Sequence, residues 1–75
     1  MKTIFFNLMV EKIVEQNAKI GMVLTLGKET MTCVDITRDK YGERYIFDNG
    51  LGFTKSNIVS NIVKYQSEKK EWKIV

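Results

Sequence analysis

Apolar positions near the start of the chain recur with a helical period. Phe6, Met9, Val10, Ile13 and Val14 fall at i, i+3, i+4, i+7 and i+8, with Asn7, Glu11, Lys12, Glu15, Gln16 and Lys19 opposite. This spacing predicts a helix over about 3–20. Thr3 is a candidate cap, Glu15 and Lys19 form a favourable i,i+4 pair, and Gly21 is the expected stop. After Gly21 the period changes to two. Met22, Leu24 and Leu26 alternate with Val23 and Thr25, and Gly27-Lys28 offers a turn. The Thr-, Val- and Ile-rich stretch from Glu29 to Thr37 reads as a second strand. Asp39-Lys40-Tyr41-Gly42 reads as a turn, and Glu43 to Asp48 as a third strand. Asn49-Gly50 is a two-residue hairpin signal because both residues tolerate positive φ. Leu51 to Lys55 then returns as a fourth strand.

The segment 57–66 supports two readings. In the preferred one, Ser56-Asn57 caps a short turn and a strand runs from about Ile62 to Gln66. In the other, Asn57 to Gln66 is a helix with Ile58, Ile62 and Tyr65 on one face. The polar run Ser67-Glu68-Lys69-Lys70 then leads into a last strand, Glu71 to Val75. The expected architecture is α+β: an N-terminal helix, then five or six short antiparallel strands over 21–75. A strongly bent sheet of that size tends to close into a small barrel, which removes its edges. With 75 residues the chain is expected to form one domain.

The order of these elements resembles that of SH3-like small barrels, and in particular the Sm-like family. Leu24 to Lys64 carries the likeness, through the turn at Gly27, the long second strand, Asn49-Gly50 and then Phe53-Thr54-Lys55-Ser56-Asn57-Ile58. This last segment is similar to the place where bacterial Sm-like RNA chaperones carry a short basic turn before the final strand. The resemblance implies an SH3-like/Sm-like barrel and a nucleic-acid-binding alternative. The family's Lys-His pair has no counterpart here, since the chain has no histidine. The chain also has the style of small accessory proteins of phages and mobile elements.

Composition narrows the chemistry. Without histidine, the commonest general base and metal ligand are missing. Cys33 is the single cysteine, so no internal disulfide forms, a metal site lacks its usual donors, and a thiol nucleophile lacks an imidazole partner. Cys33 reads as a small hydrophobe of the second strand, and the lone thiol favours a reducing, cytoplasmic setting. Asp35, Asp39, Glu43 and Asp48 flank turns, where carboxylates serve local hydrogen bonds. Gly50-Leu51-Gly52 lacks the context of a phosphate loop. No catalytic residue, cofactor or metal is assigned, and no stretch approaches the roughly 20 apolar residues of a membrane span.

Net charge is +3, and residues 37–75 carry all of the excess, with eight Lys or Arg against five acids. Two of the twelve cations are Arg, few for a nucleic-acid reader. Two clusters are candidate partner-binding sites. Ile4, Phe5 and Leu8 fall outside the helical stripe set by Phe6, Val10 and Ile13, and would present an apolar patch to a partner or second subunit. Arg38, Lys40, Tyr41, Arg44 and Tyr45 surround one hairpin turn, where basic and aromatic groups can grip single-stranded nucleic acid or a protein. The expectation is a non-catalytic binding module, an inhibitor or adaptor whose first-choice partner is a protein. The alternative is an Sm-like binder of RNA or single-stranded DNA, with a homo-oligomer compatible with either.

Overall fold

The computed structural model describes the backbone of residues 2–75 and the side chains of residues 6–75. Seven elements follow one another: α1 (Lys2–Asn17), β1 (Val23–Leu26), β2 (Glu29–Asp39), β3 (Gly42–Phe47), β4 (Gly52–Phe53), α2 (Lys55–Ser67) and β5 (Trp72–Ile74). The strands form one antiparallel sheet in the order β4-β3-β2-β1-β5. The first four make a meander, and α2 then carries the chain across the sheet so that β5 pairs with the far side of β1.

The turns follow local chemistry. Gly21 takes φ 96° after α1, and Gly27 takes φ 64° between β1 and β2. At Asn49-Gly50 the loop is one residue longer than the two-residue expectation. Phe47 N donates to Leu51 O at 2.9 Å, and Gly50 N donates to Phe47 O at 2.9 Å. A three-residue loop ending in a left-handed glycine is the usual next choice for a hairpin.

The preferred strand at Ile62–Gln66 is not formed, and a helix from Lys55 to Ser67 stands in its place. Two observations account for this. Thr54 caps the helix reciprocally: its Oγ1 accepts from Asn57 N, and Asn57 Oδ1 accepts from Thr54 N, both at 3.1 Å. Ile58 and Ile62, one turn apart, are both fully buried. The β-branched run at Ile62-Val63 favours a strand locally, but burial of a helical face outweighs propensity.

The expected barrel is therefore not closed. β4 and β5 end at opposite edges of the sheet, and α2, which lies where a closing strand was expected, covers one face instead. Both helices pack on that face and on each other. The core is Val10 and Val14 of α1, Leu24 and Leu26 of β1, Met31 and Cys33 of β2, Tyr45 and Phe47 of β3, Ile58 and Ile62 of α2, and Met22 before β1. Trp72 anchors β5 at the rim. Its ring meets Phe6 edge-on at 6.4 Å, and its Nε1 donates to Gln66 Oε1 at 3.0 Å.

β2 spans both halves of the sheet. Its first half pairs with β1 through Thr32, and its second half pairs with β3 from Cys33 to Asp39. The register slips by one residue between Cys33 and Asp35, a bulge that places the extra residue, Val34, at the junction. Beyond it, among the described residues, no strand lies on the side of β2 away from β3.

Candidate functional site

The helix layer carries the first candidate surface. The buried stripe of α1 is centred on Val10 and Val14, which are fully buried, and it is flanked by Phe6, Ile13 and Asn17. At 100° per residue, Leu8 points almost directly away from that stripe, and it is 56% exposed. Met9, expected in the stripe, is 53% exposed instead, because the core seam follows the 6-10-14 row and leaves position 9 at its border. The side chains of Ile4 and Phe5 lie outside the described residues. A groove between the helices is lined by Leu8, Met9 and Glu11 of α1 and by Lys55, Val59 and Ser60 of α2. Asn7 lines the same wall, and its Oδ1 is buried with no hydrogen-bond partner among the described residues. The groove is open, with Leu8 and Met9 more than half exposed and Val59 partly buried against the core. Such a surface suits a macromolecule better than an enclosed small molecule.

The β2–β3 turn carries the second. Asp39 Oδ1 accepts from Tyr41 N at 2.7 Å, and Gly42 takes φ 116° to close the turn. Tyr41 is thereby held at the tip, 82% exposed, with Lys40 Nζ 5.1 Å from its ring centre. Arg38 donates to Glu43 Oε2 at 2.8 Å across the hairpin. This bond holds the Glu43 carboxyl below the usual glutamate range and raises Arg38 further. The stem of Arg44 lies over Gly52, where a Cβ would come within 3.0 Å of Arg44 Cδ. Lys40 and Tyr41 meet at the exposed tip, Arg38 is paired with Glu43 on the face that Tyr45 shares, and Arg44 lies on the opposite face over Gly52, so the cluster is divided between the two faces of the hairpin.

Tyr45 does not join the exposed groups. It is 2% exposed, facing the core beside Phe47, because alternation along β3 sends it to the helix side of the sheet. Burial, the leading cause, pushes its phenol up from the ordinary value.

The four carboxylates read from the sequence as local hydrogen-bonding groups serve the backbone or an ion pair. Asp35 Oδ1 accepts from Ile36 N at 2.8 Å, and Asp48 Oδ1 accepts from Thr32 N at 3.2 Å. Asp39 and Glu43 are engaged as described. Cys33 is buried, and burial pushes its thiol up. Among the described residues no helix is long and apolar enough to cross a membrane.

Sequence reasoning missed Met9 and the unpaired side of β2. The signal for Met9 lay in the i, i+4 row of Phe6, Val10 and Val14, which defines a narrower seam than the full stripe. No family model, curated protein or solved structure matches the chain.

Proposed function

We propose that this chain is a non-catalytic binding module that docks a protein partner through the groove between its two helices, acting as an inhibitor or adaptor. One observation carries the reading. Leu8 and Met9, consecutive on α1, are each more than half exposed although nothing in the fold requires apolar residues there. Glu11, Glu15 and Lys12 on α1, with Lys55 on α2, supply a polar rim around them. A half-exposed apolar centre with a charged rim is the composition of a protein interface. The partner it fits best is an amphipathic helix laid into the groove, with apolar anchors on Leu8, Met9 and Val59.

Affinity capture with wild type, with Leu8→Asp plus Met9→Asp, and with Tyr41→Ala tests this. The protein captured by wild type is then purified and its affinity measured against all three. The reading expects Leu8→Asp plus Met9→Asp to abolish binding and Tyr41→Ala to preserve it. Equal affinity for all three overturns it.

The exposed Tyr41 with Lys40 over its ring favours a second reading: binding of RNA or single-stranded DNA at the hairpin, as the Sm-like resemblance implies. It expects binding of a random-sequence oligonucleotide that weakens steeply with salt and is lost in Tyr41→Ala. No binding at low salt refutes it.

A further inference from the structure

The second half of β2 has one side paired with β3 and the other side open. Among the described residues, the only strands beside β2 are β1 and β3. The β1 side is occupied as far as Cys33, whose N donates to Met22 O and whose O accepts from Gly21 N, both at 2.8 Å. Beyond the bulge, backbone groups alternate between the two sides of the strand. Phe47 N points toward β4, so Ile46 and Arg44 face β2 and pair there with Asp35 and Thr37. Ile36 and Arg38 therefore aim their N–H and C=O groups at the open side. The structure shows this directly at Ile36, whose N–H bonds to the Asp35 carboxylate at 2.8 Å rather than to a strand.

We propose that the open edge of β2 from Val34 to Arg38 is a strand-addition site for a second copy of this chain, held shut by the Asp35 side chain. The edge is self-complementary in one register. Antiparallel pairing centred on Ile36 sets Ile36 against Ile36 of the second copy, Asp35 against Thr37, and Arg38 against the half-exposed Val34. No like charges face one another, and the two Ile36 residues exchange both backbone bonds. The register centred on Thr37 sets Asp35 against Asp39 and is opposed by repulsion. In the free chain, Asp35 occupies the Ile36 N–H on which the first register depends. The bulge beside it twists the edge away from a flat approach, and charged groups and bulges are the usual guards of an open edge.

The test is sedimentation equilibrium of the full chain as wild type, Asp35→Ala and Asp35→Thr, with circular dichroism to establish folding. Two Asp35 bonds must break per dimer. Each is worth about tenfold for a charged acceptor, so removing both tightens self-association about 100-fold. Asp35→Thr keeps strand propensity and gives the same result if Asp35→Ala folds poorly. Adding Arg38→Pro removes the second open-side N–H without touching the ladder to β3, and returns the Asp35 variant to the wild-type mass. Wild-type self-association in both Asp35 variants, or association that survives Arg38→Pro, overturns the proposal.

Discussion

Replacing Ile62 by alanine tests the element that most changes the architecture, the helix α2. Ile62 is fully buried against the sheet, as is Ile58 one turn before it. The substitution removes three carbons, worth about 0.8 kcal/mol each in transfer, so about 2.4 kcal/mol before any cavity is counted. Incomplete relaxation around the void brings the cost to about 3 kcal/mol, within the range seen for such truncations. A domain of 75 residues has a total stability of about 4–11 kcal/mol. The variant is thus folded but fragile, with a melting temperature lower by about 12–24 °C. Urea unfolding followed by circular dichroism measures the difference. Ile58→Ala is the partner experiment, because Ile58 is buried only if 55–67 is one helix and lies outside a strand at Ile62–Gln66. Its cost is expected to match that of Ile62→Ala, while Lys64→Ala on the exposed face changes stability by less than about 0.5 kcal/mol. A cost below about 1 kcal/mol at Ile58, alongside a large one at Ile62, refutes the helix.

Thr54→Ala removes the Oγ1 acceptor of Asn57 N, leaves the Thr54 N to Asn57 Oδ1 bond in place, and is expected to cost about 1 kcal/mol, with Thr54→Ser restoring most of it in the same urea assay. Burial pushes the Cys33 thiol and the Tyr45 phenol up from their ordinary pKa values, so the folded state disfavours their ionised forms. Their contribution is fully present below the ordinary thiol range and is lost as pH rises beyond it. Stability is therefore expected to fall on the alkaline side, less steeply in Cys33→Ala, and native Cys33 is expected to react with a thiol reagent only as fast as the protein opens.

The β-meander was legible because each strand carries its own local instructions. Two-residue alternation at Met22–Leu26, glycines where φ turns positive, and a Thr-rich β2 need no distant partner to be read. α2 was less legible because two local signals disagree. Ile62-Val63 favours a strand, while Ile58, Ile62 and Tyr65 fall on one helical face. The deciding fact is tertiary: β1 to β4 expose one apolar face that a helix can cover and a sixth strand cannot. Closure of the barrel was inferred from the size and bending of the sheet and from the order of elements, and none of these says whether the last segment pairs at an edge or packs on a face.

The candidate surfaces were legible to different depths for a related reason. Leu8 stands opposite the α1 seam, so helical geometry alone exposes it. Tyr45 was grouped with Arg44 by proximity in sequence, yet neighbours on a strand face opposite ways, and the same alternation that exposes Arg44 buries Tyr45. The open side of β2 could not be read at all, since it depends on β1 ending where the bulge begins. These separations also place the surfaces on different parts of the molecule: the groove on the helix layer, the basic tip at the end of a projecting hairpin, and the guarded edge along β2. Substitutions in the groove and at the tip share no packing partner, so their effects on binding should add if both touch one partner and dissociate if they serve two. Measuring Leu8→Asp and Tyr41→Ala singly against each partner thus distinguishes one composite interface, where both weaken the same binding, from two independent ones, where each weakens only its own.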